Sequence, residues 1–173
     1  MFKNLRADFR AHGGSLGSQG FWAMIVYRFG RWRYSIRPSF LRLPFSMVYH
    51  VLFKIIQIVT GIELPCEVRL GRNFIIDHFG GIVISGYSRF GDNCRIRTGV
   101  VVGLAHVEHP CAPVFGDNVD IGAGAKVLGP ITIGDNVLIG ANEVVVSDVP
   151  TDSVVTGVPG RIRPRRQSPR PLP

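Results

Sequence analysis

The stretch that decides the fold is Phe115-Gly-Asp-Asn-Val-Asp-Ile121-Gly-Ala-Gly-Ala-Lys-Val127-Leu-Gly-Pro-Ile-Thr-Ile133-Gly-Asp-Asn-Val-Leu-Ile139-Gly-Ala-Asn-Glu-Val-Val145. A large apolar residue returns at every sixth position, and glycine follows it directly at 116, 122, 134 and 140. A six-residue period fits neither a 3.6-residue helix nor a hairpin sheet. It is the signature of a parallel β-helix, in which each hexad gives one short strand and one corner, so about eighteen residues close a coil. The repeat residue points inward and stacks on its counterpart one level away. The next position turns the corner, where glycine accepts dihedral angles that a β-carbon resists.

Two shorter runs precede this one: Leu64, Leu70, Ile76, Ile82, and then Ile84, Phe90, Ile96, Val102. Aliphatic and aromatic residues of this kind suit a pleated surface. The Asp-Asn pairs at 92–93, 117–118 and 135–136 are the expected turn formers. The expected coil spans 61–150. It breaks between Val102 and Phe115, which lie thirteen residues apart instead of twelve, and the loop 103–114 there carries His106 and His109. Loops that interrupt a regular scaffold are where function concentrates.

Outward from the coil the chain changes character. Residues 1–60 carry nine Lys/Arg against one acid, Asp8. Residues 61–159 carry six against eleven, and the tail from Gly160 adds five Arg and no acid. The pattern predicts a short helix and a Gly/Ser-rich linker within 1–20, a helix from Phe21 to about Arg37, and another from about Phe45 to Thr60 ending at Gly61. Fifteen mostly apolar residues are too few to span a bilayer, which takes about 20. Packing on the coil and on sister subunits is one reading of 1–60. Peripheral contact with an anionic membrane is the other, since Trp22, Tyr27, Trp32 and Tyr34 are interface-favouring types. No nucleic-acid-reading motif accompanies the charge, so nucleic acid is not an expected partner. Three cysteines without CxxC spacing suggest neither a disulfide framework nor a zinc ribbon, and a reducing cytoplasm fits. The first sixteen residues lack a signal peptide's apolar core. The tail 151–173 is expected to be basic and extended.

The chemistry centres on His78, in Phe74-Ile-Ile-Asp-His-Phe-Gly-Gly81. A lone histidine beside an apolar column is ordinarily a packing residue. Here a carboxylate precedes it, and two glycines just beyond leave room for a ligand. Glu63, fifteen residues upstream, lies within reach if the first coil is irregular. Such a pair can act as an oriented general base that takes an alcohol's proton as its oxygen attacks an acyl carbon. A backbone N–H at Gly103, where the coil breaks, could meet the oxyanion.

The segments Gly61-Ile-Glu-Leu-Pro65, Ile76-Asp-His78, Gly81-Ile-Val-Ile84, Ile121-Gly-Ala-Gly-Ala-Lys-Val-Leu-Gly129 and Val155-Thr-Gly-Val-Pro-Gly160 resemble the serine acetyltransferase branch of the hexapeptide-repeat acyltransferases. The resemblance covers residues 61 to 163. It implies an all-β fold, a left-handed parallel β-helix preceded here by a short α-helical region, that trimerises and binds acetyl-CoA as co-substrate between subunits, with no metal. By position it implies His78 as general base, Glu63 as its orienting carboxylate and Asp77 as an acceptor contact. Gly103, Ala123 and Gly124 would line the coenzyme groove, and Arg161 and Arg163 would meet its phosphates.

The sequence also departs from that branch. The family's Arg-His-Pro, which grips serine, aligns at its His-Pro with Ala112-Pro113, and the second glycine of its Gly-Gly turn is Leu104. The short helical start and Glu63 look more like colanic-acid-type exopolysaccharide O-acetyltransferases. A sugar hydroxyl, carried on a membrane lipid, is therefore the leading acceptor expected, with L-serine the alternative and a non-catalytic membrane scaffold the reading of another class. His106 and His109 would be acceptor contacts, plain surface residues, or ligands of a three-histidine metal site with His78.

Overall fold

The computed structural model describes residues 2–104, 111–157 and 161–165. Three helices lead: α1 (Phe2–Ala11), α2 (Gln19–Arg33) and, after a 3-10 turn at Ser39–Leu41, α3 (Arg42–Thr60). The expected helix from Phe21 ends earlier, at Arg33. The next begins three residues before Phe45, because Pro44 falls in its first turn, where the missing N–H would have no partner anyway. Gly61 closes α3 in the left-handed region, φ 64°, as expected.

The coil then winds through five levels. The first holds β1 (Ile62–Glu63), β2 (Arg69–Leu70) and β3 (Ile75–Asp77). The second holds β4 (Ile82–Ile84), β5 (Arg89–Phe90) and β6 (Arg95–Arg97), and the third β7 (Val101–Gly103), β8 (Val114–Phe115) and β9 (Asp120–Ile121). The fourth holds β10 (Lys126–Leu128), β11 (Thr132–Ile133) and β12 (Leu138–Ile139). The fifth holds β13 (Val144–Val145), a bridge at Val149 and β14 (Ser153–Thr156). Equivalent strands stack in parallel into three sheets, ordered β1-β4-β7-β10-β13, β2-β5-β8-β11 and β3-β6-β9-β12-β14. This is the expected parallel β-helix. The coil continues past Pro150, and β15 (Arg161–Pro164) folds back antiparallel on β14.

The inward columns are those the period names: Ile84, Val102, Val127 and Val145 on one side, Phe90, Phe115 and Ile133 on the second, Ile76, Ile96, Ile121 and Ile139 on the third, all buried, with Val155 extending the third beyond the repeat. Phe90 and Phe115 stack with ring centroids 4.3 Å apart. Burial of each such side chain contributes about 1.5–3 kcal/mol. At one corner Asn73, Asn93, Asn118, Asn136 and Asp152 all adopt positive φ, and each amide donates to the next side chain at 2.9–3.1 Å.

The helices close the coil's lower end. A bottom level leaves backbone N–H groups without a ladder partner, and such groups need acceptors. His12 Nε2 accepts from Ile76 N at 3.2 Å, Tyr27 Oη from Leu70 N at 3.3 Å, and Tyr49 Oη from Cys66 N at 3.0 Å. Burial pushes the phenols of both tyrosines up, so they stay neutral in this role.

The break after Val102 differs from expectation. Phe90 and Phe115 occupy equivalent places and β5 pairs with β8, Arg89 opposite Val114. The thirteen residues therefore span one side of one coil. They hold a seven-residue insertion rather than two hexads with one residue added.

Candidate active site

A second irregularity builds the site. Asp77 pairs in register with Arg97, and Val83 with Val101. Six residues thus separate Asp77 from Val83 where four separate their partners, and the surplus forces the corner Asp77–Gly81 outward. His78 and Phe79 ride on this bulge, both exposed. His78 has φ 65°, a conformation that a residue with a β-carbon holds at a cost of roughly 1–2 kcal/mol. The bulge is pinned from both levels. Gly80 N donates to Thr60 O at 2.9 Å, Gly99 N to Gly80 O at 2.9 Å, and Thr98 Oγ1 to Phe79 O at 2.8 Å. Strain held in place by surrounding bonds is the expected form of a preorganised group.

Above the bulge the same edge carries a glycine at each of three successive levels. Gly81, Gly99 and Gly124 all have positive φ, and their Cα atoms stack so closely that a Cβ at Gly81 would lie 3.4 Å from Gly99 Cα, and one at Gly99 3.3 Å from Gly124 Cα. Lys126 Nζ ties the strip, donating to Gly99 O at 3.0 Å and Gly124 O at 2.5 Å. Ala123 and Gly124 therefore lie on the same edge as His78, two coil levels up, roughly 10 Å along the axis at the usual strand spacing. A narrow strip of exposed backbone is a cradle that an extended chain can enter and that β-carbons would fill.

The other expected residues fall as follows. Glu63 is half-buried on β1, two residues from Gly61, which abuts Gly80. Its Oε2 accepts from Gln57 Nε2 at 2.7 Å, and Gln57 Oε1 accepts from Lys54 Nζ at 2.7 Å. Glu63 and His78 thus lie on the strand and the bulge that flank one corner, and among the described residues no hydrogen bond joins them. Asp77 Oδ2 accepts from Arg95 Nη1 at 2.7 Å. Arg97, opposite Asp77 in register, is held instead by both oxygens of Asp120, which raises its pKa further.

Gly103 is the last ladder residue of β7, opposite Leu128, and its carbonyl accepts from Gly129 N at 3.0 Å. Its N–H belongs to the same ladder, as Val101 N does in donating to Ala125 O. The break begins at the next residue, Leu104. Among the described residues, a Cβ added at Gly103 would meet only Leu128 Cδ2, at 3.5 Å. Arg161 and Arg163 are exposed on β15, beside the top level. His106 and His109 lie outside the described residues, and so does any metal site built from them. Among the described residues no three metal-ligating side chains converge.

Sequence reasoning missed Arg95, which stands opposite Ile75 in register and reaches the Asp77 carboxylate diagonally, a contact that no spacing in the sequence announces.

No protein-family model matches the chain. The serine acetyltransferase of Synechococcus elongatus is 40% identical over 174 residues, covering 94% of this chain and 68% of that protein. The chain belongs to the serine acetyltransferase family. The crystal structure of the Neisseria gonorrhoeae serine acetyltransferase superposes with a TM-score of 0.81 at 31% identity, covering 97% of this chain and 67% of that one. The soybean serine acetyltransferase complexed with serine gives 0.78 at 30% identity, covering 93% and 68%. About a third of each relative therefore has no counterpart here. These relatives bear the name of the serine branch, which corrects the leaning toward the exopolysaccharide branch drawn from the short N-terminus and Glu63. The reaction class that goes with the family is acetyl transfer from acetyl-CoA.

Proposed function

We propose that the chain is a cytoplasmic serine O-acetyltransferase that works as a homotrimer. The observation that carries this reading is the pinned, left-handed corner that holds an exposed imidazole at the foot of the glycine strip. Neutral His78 takes the proton of the serine hydroxyl as its oxygen bonds to the thioester carbonyl carbon. The carbonyl becomes an oxyanion, met by backbone N–H groups at the coil break. Collapse of this adduct breaks the carbon–sulfur bond, and the imidazolium returns its proton to the leaving thiolate. O-acetyl-L-serine and coenzyme A result. Glu63, at the same corner, stabilises the imidazolium.

Arg95 offers serine's carboxylate a partner in place of the family's Arg-His-Pro. Asp77 suits the acceptor's ammonium group, and the Arg95 guanidinium beside it suits the carboxylate. Acetyl-CoA fits the strip as an extended chain. From the His78 level to the β14 level is four strand spacings, roughly 19 Å, which would bring the phosphates toward Arg161 and Arg163 on β15. Gly103, Ala123 and Gly124 would lie along the coenzyme, with the Asn142 side chain standing over Gly124. Because His78 stands on an outer edge, a neighbouring subunit would be needed to wall the thioester off from water, which supports the trimer.

A sugar hydroxyl is the second reading. It is favoured by one observation: Ala112 and Pro113, in register with the family's His-Pro, are buried and offer the acceptor no polar group. Incubation with acetyl-CoA and either L-serine or candidate sugars, followed by mass analysis of the products, decides between them. Formation of O-acetyl-L-serine supports the first reading. Acetylation of sugars alone rejects it.

A further inference from the structure

The helix α3 presents an apolar surface that the catalytic reading leaves unused. Its inner stripe (Arg42, Ser46, Tyr49, Phe53, Ile56, Thr60) packs toward α2 and β1, yet only Tyr49 and Thr60 are fully buried. At 100° per residue the outward arc from Met47 round to Phe45 is about 160° wide and carries no charged residue. Along it Met47 is 65% exposed, Val51 60%, Ile58 76% and Val59 61%. Soluble monomers seldom leave a contiguous apolar surface of this extent unoccupied.

The rim of this arc is cationic and aromatic. Trp32 of α2 sets its ring edge-on to Phe45 of α3, with centroids 5.5 Å apart. Trp32 also lines a cleft of about 530 Å³ together with Arg28, Arg31, Ser35 and Arg69. Asp8 holds Arg28 at 2.8 Å, while among the described residues Arg31 and Arg69 form no salt bridge. Trp22, Trp32 and Tyr34 are exposed on the same helical layer. An apolar helix face, interface-favouring aromatics and unpaired arginines are together what an anionic bilayer surface takes up. The apolar face enters the boundary between headgroups and acyl chains, and the guanidinium forks meet lipid phosphates. The 22-residue apolar segment Ser39–Thr60 is long enough to cross a bilayer, but its packed inner stripe, with Tyr49 bonded to the coil, holds it on the surface.

We infer that α3 and the Arg31–Arg69 cleft form a docking surface for a bilayer containing anionic phospholipid. This inference is independent of which acceptor is acetylated.

Flotation of the full chain with two kinds of vesicle tests it, one pure phosphatidylcholine and the other a phosphatidylcholine–phosphatidylglycerol mixture. The chain should float with the mixed vesicles, remain behind with the neutral ones, and release at high salt. The double variants Arg31→Glu/Arg69→Glu and Met47→Glu/Ile58→Glu change exposed residues only. Each should lower partitioning at least about tenfold while circular dichroism stays that of the parent. Absence of flotation, equal binding to both vesicle kinds, or variants that float like the parent would overturn the inference. So would a smaller particle mass for Met47→Glu/Ile58→Glu in analytical ultracentrifugation, because the arc would then be covered by a second copy of the chain.

Discussion

Gly99→Ala separates the glycine strip's role in binding from its role in folding. Gly99 sits at φ 71°, so a methyl group there incurs the left-handed penalty of about 1–2 kcal/mol. The new Cβ would also lie 3.3 Å from Gly124 Cα and 3.4 Å from Gly124 N, close enough to require a shift of a few tenths of an ångström but not to break the coil. Gly13 provides the control. Its φ is 74°, and an added Cβ there meets nothing within 4 Å among the described residues. Both alanine variants should therefore unfold at lower urea by about the same amount, compared at one protein concentration because assembly shifts the midpoint. Only Gly99→Ala places a methyl group on the strip. Its KM for acetyl-CoA should rise at least about tenfold, equivalent to about 1.4 kcal/mol, while the KM for the acceptor holds. Steady-state rates of coenzyme A release, with each substrate varied in turn, measure this. An unchanged KM for acetyl-CoA in a folded Gly99→Ala variant would refute the placement of the coenzyme on this edge.

Three further outcomes follow from the same geometry. Arg95→Met should raise the KM for L-serine by tenfold or more and leave that for acetyl-CoA in place, and equal effects on both would remove Arg95 from the acceptor site. Cys66 and Cys94 are fully buried, burial pushes the Cys94 thiol up to about 11, and Cys111 is exposed, so a thiol reagent should label one cysteine in the native protein and three in denaturant. Rapid native labelling at Cys94 would contradict the packing of that corner. Asp92 is held below the ordinary carboxylate range by the Arg72 backbone N–H first and its guanidinium second. Its stabilisation is therefore complete above that range and disappears as pH falls through the lower folded value. Thermal unfolding across acid pH should show a shallower loss for Asp92→Asn than for the parent, and superimposable acid limbs would count against the pairing.

The six-residue period named the inward columns, because identical levels repeat one constraint on each side. The corner that carries His78, two residues longer than its equivalent one level up, came from the register of the strands. A period cannot tell how many sides an interruption spans, and for that reason the thirteen residues from Val102 to Phe115 read as two hexads when they are one side with an insertion. The helices' capping of the coil floor through His12, Tyr27 and Tyr49 was hidden, since it depends on contacts of 17 to 64 residues in sequence separation that no local pattern records. Asp77 and His78 were legible from their neighbours. Arg95 as the partner of Asp77 and Gln57 as the partner of Glu63 were legible only in three dimensions. Handedness and the coenzyme's position came from family resemblance rather than from spacing.

The measurement closest to the central claim is the initial rate of coenzyme A release with L-serine for the parent and for His78→Asn. Asparagine tolerates the left-handed corner, as Asn73 and Asn93 do here, so the fold should persist while the base is lost. The account predicts a rate lower by about 10²–10⁴-fold with unaltered circular dichroism. A folded His78→Asn variant that turns over like the parent would contradict it.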